Sequence, residues 1–293
     1  MDNKKNILLI RTKKGLKYAQ IIQDYLWSHG LRCFIAEIDS VPNVMEQNWL
    51  DPQNTLIHSR TAAPLVNKKI AQLEKNGFKV INSSRTLNLT SNKYLSQKHA
   101  KKKGIPVAET YKVSKENLNK IKAIIKKHGE VVLKPIFSQG QGIYCNKVDS
   151  ETPEKTLKEM LASVPGKIIQ VQQYINYKKL IRVIVIGYKA LKEATVYDVP
   201  AEGWKCSVCL NPKIKRYTPE NDALFKLAEK TAKAFDAQIN FIDFFEDANG
   251  NYILNEINTA CSLRIHESVS GCKIHKVIGD FLARHALKDL RVK

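Results

Sequence analysis

Asn240–Asn258, NFIDFFEDANGNYILNEIN, is the stretch on which the reading of this chain turns. Phe241–Glu246 and Tyr252–Ile257 are rich in aromatic and β-branched residues, and Asn249-Gly250 lies between them. That pattern predicts a hairpin with a type I′ turn, which needs positive φ at both central positions. With those two residues as the loop, Ala248 faces Asn251 and, further out, Asp243 faces Glu256. Alternation puts Asn258 on the face of Glu256. Two carboxylates directly opposite have Cβ atoms about 5 Å apart and repel, so the pair calls for a cation between them. Two carboxylates and an amide oxygen suit a hard ion such as Mg²⁺. The competing reading is a surface hairpin with chance acids, and a three-residue loop would turn the two acids to opposite faces.

Upstream, Asn6–Arg11 (NILLIR) reads as a short apolar strand. Gly15–His29 follows with helical spacing and a stop at Gly30. Arg32–Ile38, Thr55–His58 and Phe78–Asn82 read as strands, with a helix over Pro64–Asn76. Strands alternating with helices predict a small parallel α/β domain over residues 1–88. It lacks G-x-G-x-x-G after the first strand and is not read as a dinucleotide site. Residues 89–168 read as an α+β unit: basic helices over Ser91–Lys103 and Lys115–His128, strands Thr110–Val113 and Val131–Pro135, and a glycine loop. Residues 169–293 hold strands Ile168–Tyr174, Ile181–Ile186 and Ala190–Val196, the helix Glu220–Phe235, the hairpin, and a closing helix His275–Leu287.

The loop Phe137–Ile143, FSQGQGI, follows the strand that bears Lys134. Gly140 and Gly142, with Ser138, Gln139 and Gln141, let backbone N–H groups approach an anion. A plain turn competes with that reading, and no Walker A sequence is present. A lysine inside an apolar strand is usually matched to something negative. Arg182, among Ile181, Val183 and Ile184, likewise calls for a carboxylate or phosphate; an edge-strand arginine in solvent is the alternative. Cys206-x-x-Cys209 with Cys261 and Cys272 has poor spacing for zinc.

The chain carries 48 Lys and Arg against 28 Asp and Glu, a net charge of +20. The stretch Ser91–Glu130 alone has eleven basic residues against three acids. Anionic partners follow from this: nucleotide, nucleic acid, acidic peptide or anionic lipid. A nucleic-acid-binding module is disfavoured, because no aromatic-interleaved basic motif or helix-turn-helix pattern accompanies the charge. Six scattered cysteines fit a reducing compartment. No long apolar run reads as a membrane span, and the start MDNKKNILLIRTKK lacks a signal-peptide pattern, so the expected location is cytoplasmic.

The order of features then becomes specific. A small α/β domain is followed by Asn92-Lys93 on a helix, VVLKP, the glycine loop, Q-Q-Y-I, R-V-I-V-I-G and I-D-F-F…L-N-E-I-N. This resembles the ATP-grasp superfamily over nearly the whole chain, and within it the RimK-like amino-acid ligases. The resemblance implies an ATP-grasp fold with an N-terminal pre-ATP-grasp domain. It implies that Lys93 and Lys134 contact ATP phosphates, and that Ser138–Gly142 closes over them. Gln173, Tyr174 and Ile175 would read adenine, and Asp243, Glu256 and Asn258 would hold two Mg²⁺ ions, with Mn²⁺ as the alternative. Arg182 would face the acyl phosphate. The implied reaction joins glutamate or a similar amino acid to an acidic peptide, protein tail or small carboxylate; a nucleotide-binding protein without turnover is the other reading, and a homo-oligomer is left open. Three departures fall mostly on the substrate side. Leu180 replaces a usual Asp, Trp204-Lys205-Cys206-Ser207 keeps only Lys205 as a catalytic cation, and Thr259-Ala260-Cys261-Ser262 replaces a Ser-Pro-Gly turn.

Overall fold

The computed structural model describes residues 5–12, 15–40, 50–61, 63–137, 144–197, 199, 204–206 and 213–288. A parallel sheet comes first, with strands β1 (Asn6–Arg11), β2 (Arg32–Glu37), β3 (Thr55–Ser59) and β4 (Lys79–Ile81) in the order β2-β1-β3-β4. β1 and β3 are buried along their whole length, as inner strands of a parallel sheet covered on both faces are. Helix α1 (Leu16–Ser28) buries Ala19, Ile22 and Leu26, and α2 (Pro64–Lys75) starts on a proline that needs no N–H partner there.

After this sheet comes a helix not read from the sequence, α3 (Ser84–Ser91), capped by the Ser83 side chain. The basic helix expected over Ser91–Lys103 follows it as α4 (Lys93–Lys102), capped by Asn92 Oδ1 on Leu95 N at 3.0 Å. Asn92 ends one helix and starts the next because its side chain replaces a missing backbone acceptor. A second, antiparallel sheet follows. It combines β5 (Thr110–Ser114), β6 (Glu130–Pro135), β7 (Asn146–Asp149) and β8 (Ile168–Gln173) in the order β5-β8-β6-β7. Helices α5 (Leu118–His128) and α6 (Glu154–Ser163) pack on it through Ile121, Ile125, Leu157 and Leu161.

The third sheet is also antiparallel. Its order is β12 (Ile214–Tyr217), β11 (Ala194–Tyr197), β9 (Tyr177–Ile186), β13 (Ile239–Asp247), β14 (Tyr252–Asn258), with the short β10 (Lys189–Ala190) on β9. β12 and the helix α8 (Arg264–Ser270) were not read from the sequence. Helix α7 (Ala223–Ala234) covers one face of this sheet with Leu224, Ala228 and Ala232, against Val183, Val185, Ile242 and Phe244. On the other face, Ile184, Ile186, Ile239 and Phe241 join a core built from β1, α1 and the closing helix α9 (Ile274–Lys288). The first sheet and the third therefore share one core. Each fully buried Leu, Ile or Phe in it contributes about 1.5–3 kcal/mol. No helix among the described residues is long and apolar enough to cross a membrane.

The opening hairpin has an unexpected turn. Asp247 N donates to Asn251 O, and Gly250 N donates to Asp247 O, so the loop is the three residues 248–250. Gly250 has φ +79°, whereas Asn249 does not enter the left-handed region. This is a type I turn closed by a left-handed glycine, in place of the expected type I′. The longer loop would have turned the two acids apart. A β-bulge cancels it: Phe244 pairs with Leu254 but Asp243 pairs with Glu256, leaving Asn255 as the extra residue. Leu254 and Ile257, three apart, consequently both enter the core under α7.

Candidate functional site

The face of the third sheet that packs on the first sheet is apolar at Ile184, Ile186 and Phe241 and turns polar one or two residues along each strand. Arg182 on β9 lies opposite Asp243 on β13, and Asp243 lies opposite Glu256 on β14. Thr195 on β11 extends the row on the other side of Arg182. Side chains at paired positions project from the same face, so one line of register assembles the row.

Arg182 and Asp243 are both buried and form a two-pronged pair: Nε to Oδ1 at 2.6 Å and Nη2 to Oδ2 at 2.6 Å. Burial disfavours the guanidinium charge, but Asp243 outweighs it and raises the Arg182 pKa well above its ordinary value. Burial pushes the Asp243 carboxyl up, and the guanidinium facing it opposes that shift. The rest of Arg182 is held by the Cys261 Sγ at 2.7 Å and the Tyr197 ring, with the His266 Nε2 at 3.4 Å. His266 is fully buried, and desolvation followed by the nearby Arg182 charge lowers it to about 3. A neutral imidazole results. It bonds the Thr195 hydroxyl through Nδ1 at 3.0 Å and turns Nε2 toward Arg182.

Glu256 is gripped from the other side. Helix α4 lies over β14, with Gln97 Nε2 donating to the carbonyl of the bulge residue Asn255 at 2.6 Å. Lys93, in the first turn of that helix, bonds Glu256 Oε2. The Lys93 ammonium holds the Glu256 carboxyl down at about 2. Burial works against the lysine charge, and Glu256 more than offsets it, so the Lys93 pKa is raised. Asn258 Nδ2 donates to Glu256 Oε1 at 3.1 Å. Asp243 is thus paired with Glu256, and Asn258 bonds Glu256. All their donors are oxygens, and the two carboxylates stand side by side on one face. That chemistry fits Mg²⁺ or Mn²⁺ and is a poor match for thiolate-seeking metals. Among the described residues, no three His, Cys, Asp or Glu side chains form a metal-holding cluster.

Lys134 comes from the second sheet. Lys93 N donates to Ile136 O at 2.7 Å, which ties the start of α4 to the strand carrying Lys134. Lys134 Nζ donates to the neutral Gln172 Oε1 at 2.7 Å. Its pKa is lowered, first by burial; the Lys93 charge adds to this, and Glu256 partly opposes it. Two half-buried ammonium groups, Lys93 paired with Glu256 and Lys134 with a neutral amide, make a site suited to an anion.

Other expected site residues are placed less directly. Ser138, Gln139, Gly140, Gln141 and Gly142 lie outside the described residues, as does Cys209. The N–H groups of Gln173 and Tyr174 are engaged by Glu109 O at 2.8 Å and Glu130 O at 3.0 Å. The Lys205 ammonium sits over the Trp204 ring, 5.2 Å from its centroid, in the aromatic group with Tyr174 and Tyr177. Sequence reasoning missed His266, Tyr197 and Arg60. His266 and Tyr197 gave no local signal, but Arg60, directly after an apolar strand, did.

A RimK-like ATP-grasp domain matches residues 90–282. The glutamate–LysW ligase ArgX of Sulfolobus acidocaldarius is 30% identical over 196 residues, 64% of this chain and 67% of that protein. The tetrahydromethanopterin:alpha-L-glutamate ligase of Methanocaldococcus jannaschii is 28% identical over 190 residues, 62% of each chain. The chain thus aligns with about two thirds of the length of these relatives. Among solved structures, a Chryseobacterium gregarium RiPP-associated ATP-grasp ligase, in complex with ADP and a leader and core peptide, superposes with a TM-score of 0.75. It is 17% identical, covering 96% of this chain and 97% of that one. A RimK domain ATP-grasp protein from Sphaerobacter thermophilus gives 0.70 at 18% identity, covering 93% and 98%. At such identities the structural likeness establishes the fold.

Proposed function

This chain belongs to the RimK-like ATP-grasp family, and from that premise we propose that it is an ATP-dependent carboxylate–amine ligase. It adds glutamate or a similar amino acid to an acidic peptide, protein tail or small carboxylate. The observation that carries the reading is the row Arg182–Asp243–Glu256 with Lys93 and Lys134 standing over its end. The named activities of the relatives, glutamate joined to LysW or to tetrahydromethanopterin, support the choice of amino acid.

In this reading Lys93 and Lys134 take the ATP phosphates. Lys93 leaves Glu256 to do so, and Lys134 exchanges the neutral Gln172 amide for an anion. Asp243, Glu256 and Asn258 would hold Mg²⁺, two ions by the family pattern, which when bound neutralises phosphate charge. An oxygen of the substrate carboxylate attacks the γ-phosphorus, the bond to the β-phosphate oxygen breaks, and ADP leaves. The amine nitrogen of the amino acid then attacks the acyl carbon and gives up a proton. Phosphate departs and an amide remains. Arg182, fixed by Asp243, Cys261 and His266, presents a permanent positive charge on the row where the acyl phosphate forms. Such preorganised charge is the main source of rate in phosphoryl transfer.

The test is phosphate release from ATP and Mg²⁺ with pools of amino acids and acidic peptides. Release that depends on both an amino acid and an acid is expected. Tight ATP binding with no release from any pool would replace the ligase reading with that of a nucleotide-binding protein.

A further inference from the structure

Arg60 directly follows β3, and its N–H donates to Ile10 O at 2.7 Å. This places it at the C-terminal edge of the parallel sheet, where open α/β sheets take their ligands. The side chain crosses to the third sheet. Nη2 donates to the carbonyl of Cys261 at 2.8 Å, in the turn that follows β14. Arg182 holds the sulfur of the same residue. Two guanidinium groups, one from each sheet, therefore converge on Cys261.

Their surroundings differ. Arg182 has Asp243. Arg60 is 7% exposed, and among the described residues neither its Nε nor its Nη1 has a hydrogen-bond partner. Among the described residues no carboxylate neutralises it; the groups that act on its charge are the Cys261 thiol and the Tyr18 hydroxyl. Burial lowers its pKa to about 10. Close by in the chain, Thr259 is 3% exposed, and its hydroxyl also lacks a partner. Tyr18 of α1 meets the same turn, accepting a bond from Ser262 Oγ at 2.7 Å. A buried guanidinium without a counter-charge is costly, and an unpaired buried hydroxyl two residues from its Cys261 partner adds to that cost. One anion with two oxygens answers both.

We propose that Arg60 and Thr259 form a carboxylate subsite that holds a substrate across the joint between the first sheet and the turn after the metal hairpin. The inference rests on the ligase reading, in which both the acid and the amino acid bring carboxylates. The phosphates belong to Lys93 and Lys134, which approach the row from the Glu256 end. Arg60 approaches from the Arg182 end, where the organic substrates must meet. A planar guanidinium matches a carboxylate in shape as well as charge.

The experiment is thermal unfolding of the full chain with separate probes: MgATP, L-glutamate, glutarate, glutaramide and inorganic phosphate. A ligand that binds the folded state raises the melting temperature in proportion to its occupancy. Glutamate or glutarate should raise it, and uncharged glutaramide should not. A shift with both identifies the acid as the occupant, and a shift with glutamate alone identifies the amino acid. In Arg60→Gln the carboxylate shift should vanish and the MgATP shift persist. The unliganded Arg60→Gln variant should melt at or above the wild-type temperature, because a charge without a partner has been removed. Thr259→Val should weaken the carboxylate response about 10-fold and spare MgATP, the loss of one charged hydrogen bond. A carboxylate shift that survives Arg60→Gln would overturn the assignment. So would a drop in unliganded stability of that variant, a shift with phosphate in place of carboxylates, or no carboxylate shift beside an intact MgATP shift. Loss of the MgATP shift in the wild-type chain would instead count against the ligase reading, since the carboxylate arms report on Arg60 independently.

Discussion

Asp243 stands directly opposite Glu256 because two irregularities in the hairpin cancel. The loop has one residue more than a two-residue turn, and the bulge at Asn255 absorbs it. The carbonyl of that bulge residue also receives Gln97 of α4, so the correction docks the helix that carries Lys93.

The turn itself is testable. Only Gly250 is left-handed in it, at φ +79°, and a Cβ there meets no atom within 4 Å. The cost of a side chain is therefore conformational alone. Gly250→Ala should lower stability by about 1–2 kcal/mol, and Asn249→Gly should change it little, as measured by urea denaturation. A type I′ turn would make Asn249→Gly stabilising, and that outcome would sink the three-residue assignment.

The two acids of the row should respond differently to neutralisation. Asp243→Asn strands the buried Arg182 and should cost about 3–5 kcal/mol of stability. The double variant Asp243→Asn with Arg182→Met should regain much of that loss yet stay inactive. Glu256→Gln leaves Lys93, whose side chain is 19% exposed, with access to water. It should keep a near-native melting temperature and lose activity by about 10²–10³-fold, the usual effect of deleting one charge-stabilising group. Wild-type phosphate release from Glu256→Gln would remove it from the site.

The sequence showed the hairpin pairing, the strand lysine and the strand arginine because each is a charge inside an apolar period. It placed Asp243 opposite Glu256 through the wrong turn type, since Asn-Gly suits either loop and a bulge leaves no pattern of its own. Asn92, the second residue of the helix expected over Ser91–Lys103, instead caps that helix and ends the one before it. His266 and Tyr197 converge on Arg182 from α8 and β11, and neither has a partner nearby in sequence. Lys205 lies over the Trp204 ring. Local periodicity records which face a residue takes; it does not record what arrives there from another element.

Stability should fall as the solution is acidified below neutrality. His58 and His266 are both fully buried, and desolvation lowers each to about 3. Unfolded histidines titrate near about 6.5. Below that pH the unfolded chain binds more protons than the folded one, so the stability present above about 6.5 is lost as pH falls toward 3. Between pH 6 and 5 the slope should approach about 1.4 kcal/mol per pH unit for each histidine. Urea unfolding at several pH values measures it. His58→Asn should flatten the slope by about half; an unchanged slope would mean that His58 does not differ between the folded and unfolded states.

The joint between the first and third sheets depends on a missing side chain. Gly279 on α9 faces Tyr25 on α1, and a Cβ there would lie 2.4 Å from the ring carbon Cδ1. Tyr25 is also tied to that helix, its hydroxyl donating to Asp280 Oδ1 at 2.6 Å, so the ring cannot swing away without losing a bond. In an exposed helix, Gly→Ala gains about 1 kcal/mol from propensity. Here overpacking, typically about 1–3 kcal/mol, should cancel that gain or exceed it. Gly279→Ala should therefore lower the melting temperature, and adding Tyr25→Leu, which shortens the opposing side chain, should restore it. Because Arg60 reaches Cys261 across the same joint, Gly279→Ala should also weaken carboxylate binding while leaving MgATP binding intact. A variant that is more stable than the wild type would show that the helices part freely and that the joint is not closely packed at this point.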